Sequence, residues 1–418
     1  MFDGGGDCAR GFAVVAAILE AALTVVTRQF AEAALQVLGR CLPELKVAHA
    51  VRQVNPQCLA LFQGQDVHAV ALDHPTGHDP EFWRKQVELG WTGMLIPEAY
   101  GGVGGTLTDM IVVAEEVGRS VMPGPLYATA VTGTTLLVLA GNEDQKNHYL
   151  PKVVEGGHLL TLGVLEEEAA LQSGLISTFA EGGHGKFTVN GEKRFVPDAH
   201  VADTIIVAAR TSLRTAPDRG VSLFLVDAES EGLRIEQMPS VDTSRRICRV
   251  IMDNVVVEED SLLGDIDQAW PHIERASELT HVPVCCELVG LAERALEMVV
   301  EYLKVRVQFD RPIGIFQALQ HRCADLMVGI ELGKSLAYYA CYASEKNLPD
   351  APVALAMAQA YCSEMSQHTM SDCVQLFGGI GFTWEHDLHL YKRRAISLAL
   401  NMGTTEEHRE KVAKAFMG

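Results

Sequence analysis

The hydrophobic period of this chain changes twice along its length, and that double change excludes most folds before any motif is considered. Up to about residue 157 apolar side chains recur at helical spacing. From His158 to about Leu263 they fall instead into short β-branched runs punctuated by glycine, at Thr188-Val189-Asn190-Gly191, 202–209, 221–226 and 250–257. After Asp267 the helical period returns and holds to the end. A helix, strand, helix order without alternating βαβ units rules out a doubly wound sheet or an α/β barrel. The expected class is α+β: an N-terminal α-helical domain over 1–157, a middle antiparallel β domain over 158–264 and a C-terminal four-helix bundle over 265–418.

Local signals sharpen parts of this outline. Asp79-Pro80 is an N-cap followed by proline at the first helical position, and it opens a helix through Trp83 and Leu89. Thr106-x-x-Asp109 has capping-box spacing ahead of a helix running to about Ser120. Pro123-Gly124-Pro125 breaks the chain before helices near 127–140 and 142–155. In the last domain the breaks at Arg311-Pro312, Pro349 and Gly378-Gly379 divide helices near 267–306, 313–346, 350–378 and 384–400. Residues 1–70 carry few caps, and no residue there ties to chemistry.

A net charge of −20 over 418 residues excludes bulk neutralisation of nucleic-acid phosphates. The ten cysteines form no C-x-x-C pair and no metal-ligand cluster, so they read as buried thiols of a cytoplasmic protein. The apolar stretch 12–26 contains Glu20 and follows Asp3 and Asp7 in place of a basic n-region, so it is not expected to be a targeting segment, and it is too short to span a bilayer.

Four segments in order carry a family resemblance. They are Pro97-Glu98-Ala99-Tyr100-Gly101-Gly102; Asn190-Gly191-Glu192-Lys193 with Ala202-Asp203; Arg306-Val307-Gln308-Phe309 followed by Arg311-Pro312-Ile313 and Phe316-Gln317; and Gln375-Leu376-Phe377-Gly378-Gly379-Ile380-Gly381. Over about residues 73–416 the chain resembles an acyl-CoA dehydrogenase. The resemblance implies FAD as cofactor, an acyl-CoA substrate, an electron-transferring flavoprotein as acceptor and a homo- or hetero-tetramer. It also implies cofactor contacts at Arg306, Gln308, Phe309, Gln375, Gly378, Gly379 and Thr404. The chemistry of these residues suits that role, since a guanidinium offers a fork to phosphate oxygens and glycine lets a ligand approach the backbone. Taken alone, Arg306 also reads as a solvated helix-end charge and the glycines as a helix C-cap.

The resemblance breaks at the chemistry. In the family a carboxylate removes the α-proton while hydride leaves the β-carbon for the flavin. Where that carboxylate is commonest, before Gly403-Thr404, this chain has Met402, which cannot take a proton. Where other members place it, early in the first bundle helix, it has Thr280, followed by His281. Pro197 stands where a flavin-contacting threonine is common, and Leu165-Glu166-Glu167-Glu168 and Gln172-Ser173-Gly174 depart from the flavin-facing pattern. This combination is similar to the atypical subunits of actinobacterial heteromeric acyl-CoA dehydrogenases of steroid breakdown. Two further readings stay open: a self-sufficient enzyme whose base is Glu278, Glu287 or Glu406, and a flavin-free scaffold subunit.

Overall fold

The computed structural model describes residues 74, 76–77, 79–183, 185–212 and 219–417. The stretch 1–70, with its apolar run at 12–26, lies outside them. Asp79 caps α1 (Pro80–Glu88) by accepting the Glu81 amide at 2.8 Å, with Pro80 at the first helical position. Thr106 and Asp109 form the reciprocal box at the start of α2 (Leu107–Arg119). The third helical segment is not uniform, for Tyr127–Gly133 is wound as a wider π-helix before it tightens into α3 (Thr134–Ala140). A second box, between Asn142 and Gln145, opens α4 (Glu143–Val154).

The strands are β1 (Leu160–Gly163), β2 (Phe179–Gly183), β3 (Lys186–Pro197), β4 (Thr204–Arg210), β5 (Val221–Asp227), β6 (Leu233–Met238), β7 (Ile247–Glu258) and β8 (Leu262–Leu263). They form one sheet in the order β6-β7-β3-β2-β4-β5-β8. Most pairs are antiparallel, as expected, but β1 and β2 pair parallel to β4. The long excursion through the β2–β3 hairpin supplies the crossover that parallel pairing needs. Alternation along β4 explains how the sheet serves two cores. Ile205, Val207 and Ala209 pack with Val250 and Met252 on one face, while Ile206 and Ala208 pack with Leu136, Leu150 and Trp270 beneath the helices.

The C-terminal part contains α5 (Trp270–Val305), α6 (Gln317–Glu345), α7 (Ala351–Phe377) and α8 (Leu388–Asn401). A further helix, α9 (Thr405–Met417), follows these four. Its start was legible in the spacing Thr404-x-x-Glu407, since the Thr404 amide donates to Glu407 Oε2 at 2.8 Å and the Glu407 amide to Thr404 Oγ1 at 3.2 Å. Helices α2 and α5 cross at two facing glycines. A Cβ at Gly118 would lie 2.1 Å from the Glu287 carbonyl oxygen, and one at Gly290 would lie 2.1 Å from that of Glu115. No helix among the described residues is long and apolar enough to cross a membrane.

Candidate active site and cofactor cleft

Two regions draw the sequence-selected residues together. One lies at the far end of the bundle. Stacking of Tyr302 on Phe377, 4.9 Å between ring centroids, ties the C-terminus of α5 to that of α7, so the Arg306 and Gly378 loops leave the bundle together. After Arg306 a short hairpin pairs β9 (Val307–Gln308) with β10 (Arg311–Pro312). Its two turn residues, Phe309 and Asp310, have φ of 54° and 62°. Phenylalanine is a poor residue for that conformation, which glycine or asparagine normally fills. The strained turn lifts the Phe309 ring into the open, 82% exposed.

The Arg306 side chain has no ion pair or hydrogen bond among the described residues, and Gln375 is exposed. Gln308 Nε2 donates to the neighbouring Val307 carbonyl at 2.9 Å. Gly378 takes φ 65° as the C-cap of α7, and a Cβ on Gly378 or Gly379 would meet nothing within 4 Å. Internal packing therefore does not demand glycine at 379, and the open face is free for another molecule. Phe382 and Trp384, 77% and 61% exposed, continue the aromatic surface, with the Arg393 guanidinium over Trp384. An unpaired guanidinium, exposed aromatic rings and bare backbone fit the adenine and pyrophosphate half of a dinucleotide cofactor. Sequence reading missed Phe382, Trp384 and Arg393, although Trp384 follows the glycine segment directly. Thr404, by contrast, caps α9.

The second region is interior. Met402, the C-cap of α8, is 4% exposed, and its sulfur lies 3.9 Å from Cys285 Sγ on α5. Thr280 and His281 sit about one turn before Cys285 on that helix, so both expected base positions belong to one neighbourhood. Thr280 Oγ1 donates to the Ala276 carbonyl at 2.7 Å and lies 2.9 Å from Thr132 Oγ1 on the π-helix. Gln359 of α7 donates to His281 Nδ1 at 2.9 Å. Burial, reinforced by His408 and Lys411, lowers His281 to about 4, so it is neutral at physiological pH. His408 on α9 is 2% exposed, and burial lowers its pKa despite a contact with the Met402 backbone.

The carboxylates considered as substitutes are engaged elsewhere or exposed. Glu278 pairs with Arg275 at 3.3 Å, and Glu406 faces solvent. Glu287, fully buried, accepts from Arg394 at 2.7 Å and pairs with Arg245 at 3.3 Å. Arg394, also fully buried, reaches Asp242 at 2.8 Å, Ser244 Oγ and the Met122 carbonyl. Its position had a sequence signal, since Arg394 interrupts the apolar stripe Leu388, Tyr391, Ala395, Leu398 of an otherwise ordinary amphipathic helix.

On the sheet side, Pro197 ends β3 and its carbonyl accepts from Thr161 Oγ1 at 2.6 Å. A bulge between Lys193 and Val196 turns Phe195 outward with φ 55°. Lys193, with its side chain fully buried, pairs with Glu166 at 2.6 Å. Burial pushes Glu166 up, but the Lys193 ammonium and hydrogen bonds from Lys193, Ser177 and the Thr178 amide outweigh it and hold the carboxyl at about 2. The first residues of the divergent loop are thus pinned to the sheet.

Comparison with known proteins decides the family. Residues 62–157, 162–255 and 270–417 match, in order, the N-terminal, middle and C-terminal domains of acyl-CoA dehydrogenase. Acyl-CoA dehydrogenase IpdE2 of Mycobacterium tuberculosis is 31% identical over 346 residues, 82% of this chain and 89% of that protein. The chain belongs to the acyl-CoA dehydrogenase family. It is also 28% identical to the caffeyl-CoA reductase-Etf complex subunit CarC of Acetobacterium woodii, over 78% of this chain and 86% of that one. The three-dimensional structure of butyryl-CoA dehydrogenase from Megasphaera elsdenii superposes with a TM-score of 0.79 at 25% identity, covering 86% and 96% of the two chains. Acyl-CoA dehydrogenases are oxidoreductases that carry FAD, and the open cleft at Arg306 and Gly379 matches one half of that cofactor in chemistry.

Proposed function

We propose that this acyl-CoA dehydrogenase acts as one subunit of a heteromer, lends its cleft to FAD-dependent α,β-dehydrogenation of an acyl-CoA, and relies on a related subunit for the base. The observation that carries this reading is Met402 packed against Cys285, where the family resemblance calls for a carboxylate, with Glu287 committed to Arg394 and Arg245. A thioether has no proton affinity in the working range, and general-base help is worth roughly 10²–10⁴-fold in rate. On the cofactor side, Arg306 would take a pyrophosphate oxygen, Phe309 would lie against the adenine, and Gln308, Gln375, Gly378 and Gly379 would complete that half of the site, whereas Thr404 is spent on capping α9. FAD supplies the hydride acceptor when bound. The chain's own residues anchor the cofactor and enclose the acyl group.

Electrons would pass on to an electron-transferring flavoprotein, a partner class that the name of the CarC relative carries. The resemblance further implies a tetramer in the cytoplasm and an acyl group from lipid or steroid breakdown. The test is expression of the chain alone, with flavin absorbance and dye reduction by acyl-CoA measured on the same preparation. Little FAD and negligible turnover are expected, both rising on co-expression with a related subunit that retains the Glu-Gly-Thr sequence. Stoichiometric FAD with an ordinary turnover in the lone chain would overturn the reading and turn attention to Glu278.

A further inference from the structure

The wall beside Met402 contains a hydroxyl relay whose end has no donor. Thr280 spends its single proton on the Ala276 carbonyl, 2.7 Å away. In the 2.9 Å contact between Thr132 and Thr280 the proton must therefore come from Thr132. That leaves the Thr132 oxygen with lone pairs and no proton to offer. Thr132 is half-buried, on the π-helical turn that meets α5 at Thr280, one of the two positions where the family resemblance puts the base. A plain alkyl chain laid against this oxygen would strip its water and return nothing, whereas a group with an O–H would satisfy it. A ketone would not, because it brings only another acceptor.

We infer that the acyl group handled here carries a hydroxyl beyond the β-carbon, with Thr132 as the residue that selects it by accepting its proton. The inference rests on the acyl-CoA reading above and narrows it to a substrate class. Thr132 acts on specificity and takes no part in the chemical step. A neighbouring group supports a polar lining: His281, neutral and held by Gln359 at Nδ1, keeps its proton on Nε2. Sites built around a hydrogen bond to a substrate hydroxyl reject analogues that lack it more strongly than apolar pockets reject an added methylene.

The test is calorimetric binding of three probes to the full chain in the assembly in which it purifies: octanoyl-CoA, an octanoyl-CoA hydroxylated beyond the β-carbon at each position in turn, and the matching oxo compounds. At least one hydroxy compound is expected to bind about fivefold or more tighter than both its oxo counterpart and octanoyl-CoA. In Thr132→Val, which leaves the Thr280 bond to Ala276 in place, that preference should fall below about twofold while octanoyl-CoA binds no worse. Equal binding of octanoyl-CoA and every hydroxy compound by the wild-type chain would overturn the inference and leave the acyl-CoA reading standing. Failure of all three classes to bind would remove the acyl-CoA reading itself, and this inference with it. Because the comparison among probes is made on the wild-type protein, it decides the matter even if the variant does not fold.

Discussion

Met402 is the residue on which the proposed role turns, because its surroundings are as unlike those of a working carboxylate as its side chain is. It sits in a sulfur-rich spot, against Cys285, whose thiol is itself raised well above its ordinary value through Cys362 and burial. In Met402→Glu the new carboxyl would be pushed upward by the same burial. On flavin-loaded protein it is expected to raise α,β-dehydrogenation by ~10²-fold or more, with a rate that climbs as pH rises through its elevated pKa. Dye reduction against pH checks this, and a wild-type protein already at the rate of the variant would contradict it. Glu166 offers the complementary acid-side case. Its folded value of about 2 lies below the ordinary 4.5, so the stability it contributes is complete above about 4.5 and is lost as pH falls toward 2. Glu166→Gln removes the charge that helps keep Lys193, itself lowered to about 8 by burial, protonated, so the lost pair should cost about 3 kcal/mol at pH 7 in urea unfolding, with the gap to wild type shrinking below pH 4. A gap that does not change with pH would mean that Glu166 is not the titrating group.

Among the elements, the crossing of α2 on α5 is the tightest contact on which the site depends. Gly290→Ala would drive a methyl to 2.1 Å from the Glu115 carbonyl oxygen, a distance no side-chain adjustment relieves, because backbone meets backbone. Overpacking of this kind typically costs 1–3 kcal/mol or somewhat more, so we expect a loss of about 3 kcal/mol and a looser α5. Thermal and urea unfolding would measure it, and a change under about 0.5 kcal/mol would show that the helices part without penalty. The helix starts at α1 and α2 were readable because capping is local: a side chain within three residues satisfies the free amide. The same spacing at Thr404-x-x-Glu407 opens α9, a helix not among those expected from the sequence. The π-helical turn at Tyr127–Gly133 had no such local signal, since its register is set by how it packs on α5 and β1, where Thr129 exchanges hydrogen bonds with Leu160.

Across the whole molecule, the buried Arg394 joins segments from every part of the described chain: Met122 just after α2, Asp242 and Ser244 between β6 and β7, and Glu287 on α5. Arg394→Met would leave Asp242 buried without its cation and Glu287 with Arg245 alone, and we expect a loss of about 3–5 kcal/mol. Circular dichroism against urea would report it, together with weaker cohesion between sheet and bundle in limited proteolysis. Unchanged stability would mean that water replaces the guanidinium. Glu287, read from the sequence as a possible base, thus serves this junction, and nothing in its sequence position distinguished the two roles.

What the sequence determined by itself is the order of helix and strand, the caps that open several helices, and the presence of methionine at 402 and threonine at 280. All of these are properties of side-chain pattern over a few residues, or of one residue's chemistry. The tertiary structure alone decided the rest. It brought Met402 to Cys285 across more than a hundred positions of chain, assigned Glu287 to Arg394, left Arg306 and Gly379 open at the end of the bundle, and ended a chain of hydroxyls at Thr132. Those outcomes depend on which distant groups share a desolvated space, where each polar atom needs a specific partner, and spacing along a single chain does not carry that information.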